Sequence, residues 1–422
     1  MSSNSNVLSH KLTNSLSLEL SAKKSIMALQ HLIAMFGATV LVPILTGLSP
    51  TIALFSAGMG TLIFHACTKG KVPVFLGSSF AFIPAIIQVK TIYNGDLAYA
   101  QGGMIVAGLI YVLISFMINK IGVDRVKRVL APQVIGPMIM VIGLNLLPTA
   151  FSMAKENLII AGITLAIALA ISFFTHGFIK QLSILLAVTF GYILALILKE
   201  VDTTIIISAP IFSVPSFRFP KFSLQAIAII APIVLAVFME HLGDITTNSQ
   251  VVGKDFIKDP GLNRTLLGDG LATAFAGLIG GPANTTYGEN TAVLAITKNY
   301  DPKIIRLAAF FAIILAFVSK LGAVINSIPI CVMGGISIML FSMISLVGVN
   351  TIKKAKVKFN IKNIIVMASI LIIGLFSNYI YEKFGIFIGI RINEAVSISG
   401  ISMAAIVGIV LNLLLNLRNN RA

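Results

Sequence analysis

The sequence predicts an all-α polytopic membrane protein of 14 transmembrane segments in a 7+7 inverted repeat, with two broken segments, the third and the tenth. Three observations carry that prediction: an apolar composition, span-length apolar blocks alternating with short basic loops, and a motif pattern that occurs once in each half. Of the 422 residues 57% are hydrophobic and 11% charged, and the mean hydropathy is +0.97. An average soluble domain carries about 25% charged residues. Blocks close to the ~20 residues that cross a hydrocarbon core as helix recur along the whole length, and no soluble domain separates them.

Taken in order, residues 1–25 are polar and lack the apolar core and small-residue cleavage site of a signal peptide, so they read as a cytoplasmic tail. The spans then fall near 26–46, 51–68, 72–90, 101–118, 131–148, 157–175 and 181–198, which make a first repeat over 26–200. The second repeat, 201–416, holds 222–250, 264–280, 283–298, 304–325, 328–349, 361–380 and 394–416, and residues 417–422 form a C-terminal tail. With the N-terminus inside, the inner segments hold 23 of the 31 Lys and Arg residues, which supports an even number of crossings and two cytoplasmic termini. The net charge of +16 is therefore a topology signal. The basic residues sit in short loops without an aromatic-interleaved surface, so nucleic acid is not an expected partner. Cys67 and Cys331 lie far apart in apolar surroundings and indicate neither a disulfide nor a metal site.

The third and tenth segments open with Gly or Pro, run through extended residues, and continue as short apolar helices. Gly77-Ser78-Ser79-Phe80-Ala81-Phe82 aligns with Asn284-Thr285-Thr286-Tyr287-Gly288-Glu289. A second echo pairs Pro132, Val134, Ile135 and Gly136 with Pro329, Val332, Met333 and Gly334. Seven spans per half inverts the second copy, and interrupted segments at matching places in two inverted halves point to a transporter's substrate site. Non-helical backbone at membrane depth survives only where protein buries it or a polar cavity meets it. A half-helix starting there aims its N–H groups, partly positive, at the occupant of the cavity.

The acidic residues within or beside apolar blocks are Glu240, Asp244, Asp269, Glu289 and Glu394. A carboxylate at mid-membrane costs a few kcal/mol or more, so each is a functional candidate. Glu240, Asp244 and Asn248 stand at i, i+4 and i+8, on one helical stripe that must face protein or water; a stripe of solvated surface beyond the end of the helix is the plainer alternative. Glu289 opens a half-helix, where capping is the simpler reading. His31 is one polar residue in an apolar helix, either a hydrogen-bonding interior group or a proton carrier. His241 points about 100° away from Glu240 around a helix, and Asp269 reads as an N-cap or first-turn acid. Two carboxylates plus two sets of backbone donors suit a small planar ligand with alternating N–H and C=O groups; an amino acid or an anion could also use half-helix ends, but two carboxylates would repel an anion unless both were protonated.

The stretches LQHLIAMFGATVLVPILTG (29–47), PVFLGSSFAFIPA (73–85), EHLGD (240–244), KDPGLNRTLLGDGLAT (258–273), NTTYGENTAVLAIT (284–297) and IPICVMGGISIMLF (328–341) resemble the uracil permease branch of the nucleobase–ascorbate transporter family. The resemblance covers the chain beyond the N-terminal tail. It implies short antiparallel strands in the third and tenth segments, a core domain from segments 1–4 and 8–11, a gate domain from segments 5–7 and 12–14, and a homodimer in the cytoplasmic (inner) membrane of a bacterium. It further implies proton-coupled uptake of uracil, with no cofactor beyond the driving ion, H+. Carried over by motif, Glu240 and Glu289 would hold the ring nitrogens and backbone groups at Phe80 and Gly288 the carbonyls, with Tyr287 beside them. Ser79, Thr286, Asn248, Asn290 and Phe341 are secondary candidates.

Two departures stand out. Asp244 occupies a position where such permeases often have His, which opens the identity of the proton relay among Glu240, Asp244 and His31. Phe341 stands where Tyr is common. The alternative to uracil is another nucleobase, xanthine, urate or thymine, carried on the same fold. Two other classes are a passive channel and an intramembrane enzyme; against the latter, the Glu240-His241 pair has no second His at i+4 and so is no zinc-protease motif.

Overall fold

In the computed structural model, residues 2–122, 131–391 and 397–416 are described. Glu394, the basic residues Arg125, Lys127, Arg128, Arg418 and Arg421, and the expected 417–422 tail lie outside them. The chain opens with α1 (Ser2–Thr46), α2 (Pro50–Cys67), β1 (Leu76–Ser78), a 3-10 turn (Phe80–Phe82), α3 (Ile83–Ile92) and α4 (Ala98–Ile121). Next come α5 (Pro132–Ala154), α6 (Leu158–Phe174), the short α7 (Gly177–Gln181), α8 (Ser183–Ile197) and α9 (Thr204–Ser208). The second half continues with α10 (Leu224–Ile230), α11 (Val234–Val252), α12 (Leu262–Ile279), β2 (Asn284–Thr286), α13 (Gly288–Thr297), α14 (Pro302–Ala316) and α15 (Ser319–Asn326). It closes with α16 (Ile330–Lys354), α17 (Ile361–Phe384), β3 (Gly389–Arg391), β4 (Ser397–Ser399) and α18 (Gly400–Asn416).

Among the described residues, five helices are long and apolar enough to cross a membrane alone: Ala22–Thr46, Pro50–Cys67, Ala98–Lys120, Pro132–Ala154 and Ile330–Lys354. Shorter apolar helices accompany them, so the chain is a multi-pass membrane protein, mostly helical. The expected tail over 1–25 begins within α1, which runs without interruption into the first span. The all-helical prediction misses β3 and β4, which pair antiparallel just before the last helix. The eleventh span is not one helix: α14 and α15 meet at 79°, without Gly or Pro at the break. The groups freed there find partners in the linker before α10, where Ser213 N–H donates to the Phe317 carbonyl at 3.0 Å and the Ser319 hydroxyl donates to the Pro210 carbonyl at 3.0 Å.

The helices pack in two sets. In one, α12 lies against α2 and α4, and α14 against α1 and α2; in the other, α16 lies against α5, α6 and α8, and α17 against α5 and α18. Both α5 and α16 begin at a proline, Pro132 at the first helical position and Pro329 at the cap, where a missing N–H costs nothing. Small residues let these two helices touch. A Cβ on Gly143 would come within 2.5 Å of the Phe341 carbonyl and 2.8 Å of the Ser345 nitrogen. Lipid offers no hydrophobic drive between helices, so such backbone approach is what binds them. Gly143→Val should therefore cost about 1–3 kcal/mol by overpacking, read as a lower thermal midpoint in detergent, whereas Gly162→Ala, whose Cβ meets nothing within 4 Å, should leave the midpoint in place.

Candidate functional site

The centre of the first set is a two-stranded ribbon. β1 and β2 pair antiparallel with Leu76 opposite Thr286, Gly77 opposite Thr285 and Ser78 opposite Asn284. The pairing extends at both ends, through Ser79 N–H to the Ala283 carbonyl at 2.8 Å and Tyr287 N–H to the Phe75 carbonyl at 3.1 Å. A two-stranded ribbon has open edges, and an unpaired backbone group at membrane depth costs several kcal/mol. Side chains from the surrounding helices close them. Thr61 accepts from Leu76 N–H at 2.9 Å, a ring nitrogen of His65 lies 3.0 Å from the Val74 carbonyl, and Thr273 donates to the Asn284 carbonyl at 2.8 Å. These polar residues of α2 and α12 thus serve the ribbon's backbone, and each strand leads into a half-helix, α3 or α13.

Beside the ribbon a cavity of about 620 Å³ separates the two helix sets. One wall is α11, from Glu240 through Asp244 and Thr247 to Gln250, together with Phe80 and Ala81 from the first half-helix. The opposite wall comes from α5 and α16, apolar at Ile135, Ile139, Ile142, Ile344 and Val347, then polar at Asn350, Thr351 and Lys354. The predicted stripe on α11 therefore faces a cavity in its Glu240 and Asp244 part. Asp244 is anchored to the ribbon, because the Thr286 hydroxyl donates to its Oδ2 at 3.0 Å. At the start of α13 Gly288 is exposed and Glu289, in the first turn, is half-buried. A Cβ on Gly288 would lie 3.6 Å from Asp244 Oδ1, so the start of the second half-helix adjoins the acid stripe.

Other sequence candidates stand behind this surface. Tyr287 is buried and donates its hydroxyl to the Ser78 carbonyl at 2.9 Å, clamping one strand to the next half-helix. Asn290 donates to the His31 carbonyl at 2.9 Å and lies 3.3 Å from its Nδ1, so His31 joins α1 to α13. Asn248 donates to the Pro73 carbonyl at 3.3 Å and to Thr291 at 3.2 Å. Ser79 is fully buried with its hydroxyl unpartnered among the described residues, and Phe341 is buried in the contact between α5 and α16. None of these lines the cavity.

Asp269 corrects an expectation. The helix α12 starts at Leu262, so Asp269 lies in its interior and neither caps it nor stands in its first turn. It is fully buried, 3.0 Å from His241 Nδ1, while His241 Nε2 lies 3.0 Å from the Thr265 hydroxyl. His241 thus points away from Glu240 into α12, as the helical angle implies, and finds there a partner that local sequence gave no means to name. Sequence reading also missed Thr247, Gln250, Asn350 and Lys354 on the cavity wall. A signal for Gln250 existed, since it continues the Glu240 stripe by a further turn beyond Thr247.

A family model described as a permease family, Xan_ur_permease, matches residues 22–383. The uracil permease of Bacillus subtilis (strain 168) is 40% identical over 408 residues, covering 92% of this chain and 91% of its own. The probable uracil permease of Pasteurella multocida (strain Pm70) is 40% identical over 404 residues, covering 93% and 94%. Among solved structures, the transmembrane domain of a cyanobacterium bicarbonate transporter, BicA, superposes with a TM-score of 0.61 at 15% identity, covering 83% of this chain and 94% of that one. That last likeness concerns the fold alone.

Proposed function

The chain belongs to the permease family whose model spans residues 22–383, and from that premise we propose that it carries uracil across the bacterial inner membrane, driven by protons. The observation that carries the reading is the meeting of Phe80 and the Glu240–Asp244 stripe on one cavity, with the start of α13 standing behind Asp244, where a Cβ on Gly288 would lie 3.6 Å from Asp244 Oδ1. At about 620 Å³ it falls in the ordinary range for small-molecule sites. Glu240 and Glu289 accept from the ring N–H groups, and first-turn N–H groups near Phe80 and Gly288, which no helical carbonyl can satisfy, donate to the ring carbonyls. The Phe80 ring supplies flat packing. Tyr287, Ser79, Thr286, Asn248 and Asn290 support this surface by holding the ribbon and both half-helices.

In this reading the 14 segments form a 7+7 inverted repeat, with segments 1–4 and 8–11 as core and segments 5–7 and 12–14 as gate. The cavity between the two helix sets is then the inward-open state of an alternating-access cycle, its mouth at the Lys-rich end that the charge bias assigns to the cytoplasm. Uracil loads onto the Glu240 carboxylate, and protonation of Glu240, coupled to Asp244 and His31, then accompanies occlusion, because a neutral acid is far cheaper than a carboxylate in an occluded site. The protein works as a homodimer with cytoplasmic termini. An anion is disfavoured, since Glu240 and Asp244 line the same cavity.

Direct binding across uracil, thymine, xanthine and uric acid tests the substrate. Uracil should bind at least about tenfold tighter than either bicyclic purine, one lost charge-assisted hydrogen bond being worth that much. Xanthine or uric acid binding as tightly as uracil would move the assignment to another nucleobase. Equilibration of uracil without accumulation against its gradient would make the protein a passive channel.

A further inference from the structure

The cavity is longer than the site assigned to the base. On α11 its lining runs from Glu240 to Gln250, and on α16 from Ile344 to Lys354, ten residue steps along the helix in each case. At 1.5 Å per residue the wall on each helix is roughly 15 Å long, which a single pyrimidine ring cannot bridge. The two ends differ in chemistry. One end joins carboxylates to isoleucines; the other, towards the C-terminal ends of α11 and α16, carries an exposed primary amide on each helix, Gln250 and Asn350, with Thr247, Thr351 and Lys354.

Both amides are exposed, and neither has a hydrogen-bond partner among the described residues. The two threonine hydroxyls, by contrast, are spent on their own helices, Thr247 donating to the Gly243 carbonyl and Thr351 to the Val347 carbonyl. An Asn or Gln amide presents one acceptor and two donors, the complement of an adjacent N–H and C=O pair on a planar ring, as in its bidentate pairing with a nucleobase edge. No carboxylate lines this end, and Lys354 adds one cation that favours carbonyl oxygen.

We infer that Gln250 and Asn350 form a second nucleobase site at the mouth of the cavity, a vestibule that holds a cyclic amide after it leaves Glu240 and Glu289 and before it reaches the cytoplasm. The vestibule rests on the reading of the deep site as a uracil site. It binds weakly, because neutral hydrogen bonds at an exposed surface replace the charge-assisted ones inside. Because the two sites lie along one cleft, the vestibule acts on exchange at the inner face and not on capture from outside.

The test separates the two faces. Labelled uracil is offered to inside-out membrane vesicles, which present the cytoplasmic mouth, and to right-side-out vesicles of the same preparation. The double variant Gln250→Ala/Asn350→Ala should raise the inner-face KM by about fivefold or more, one neutral hydrogen bond lost from each amide. The outer-face KM should move less than about twofold on the same scale. The swap Gln250→Asn/Asn350→Gln, which keeps both amides, should recover most of the loss. An inner-face KM unchanged by the double variant overturns the vestibule alone. Equal changes at both faces also overturn it, because they mark a general disturbance of the gate. Wild-type vesicles that take up no uracil from either face overturn the uracil reading itself, and the vestibule with it.

Discussion

Glu240→Gln should abolish accumulation of uracil against its gradient in proteoliposomes while leaving the protein folded. The substitution preserves size and one carbonyl acceptor but removes the charge, and the cavity offers no substitute on that wall closer than Asp244, a turn away on the same stripe. A hydrogen bond to a charged group is worth about 1.5–3 kcal/mol, so uracil binding should weaken about 10- to 150-fold. Loss of the titrating group has a separate consequence. An amide cannot take up and release a proton, so whatever binding remains should be uncoupled, and an imposed pH gradient should no longer drive net uptake. Asp244→Asn should be milder in binding, because Asp244 already accepts from Thr286 at 3.0 Å and one of its oxygens is committed to the ribbon. Proton-driven accumulation retained by Glu240→Gln would remove Glu240 from the coupling role. Wild-type binding in the same variant would remove it from the substrate as well.

How much of this was legible in the sequence depends on whether the signal was periodic. The Glu240–Asp244 stripe was legible because helix periodicity places residues four apart on one face, and the cavity lies along that face. The ribbon was legible as a pair of similar interrupted segments, Gly77-Ser78-Ser79 and Asn284-Thr285-Thr286, since backbone that leaves the helix beside apolar segments needs small and hydroxyl residues. The roles of the neighbouring polar residues were not. Asn248, Asn290 and Tyr287 look in sequence like ligand contacts, but in the structure they satisfy carbonyls of Pro73, His31 and Ser78. A buried polar group that closes a backbone hydrogen bond and one that awaits a substrate have the same composition, and only three-dimensional placement separates them. The Asp269–His241 contact and the α14–α15 break were hidden for a different reason. Each depends on a chain segment distant in sequence, α12 in the first case and the linker around Ser213 in the second.

Gly77→Ala should have an effect as large as any change to a carboxylate, although it adds one methyl group and touches no charge. Gly77 sits in the middle of β1 opposite Thr285, with the Tyr287 ring packed against it. A Cβ there would overlap the Tyr287 ring atoms and approach Thr39 Oγ1 to 2.7 Å. Neither neighbour is free to retreat. The Tyr287 hydroxyl is held on the Ser78 carbonyl at 2.9 Å, and Ser78 is itself bonded through its hydroxyl to the Thr39 carbonyl at 2.9 Å. Relief therefore requires either expelling Tyr287 or spreading the two strands. Spreading breaks ribbon hydrogen bonds in a medium that offers no water to replace them, at a cost of several kcal/mol for each group left open. Expelling Tyr287 displaces the residue immediately before Gly288 and Glu289, so the first turn of α13 moves with it. Both routes disturb the half-helix start that adjoins Asp244, and uracil binding should fall by about a hundredfold or more, as loss of some 3 kcal/mol implies. Thermal midpoints separate the two routes: a large drop marks an opened ribbon, whereas a near-normal midpoint with lost binding marks a displaced Tyr287. A Gly77→Ala protein with wild-type midpoint and wild-type affinity would show that Tyr287 does not pack on this strand, and the assembly of the site around the crossing would have to be rebuilt.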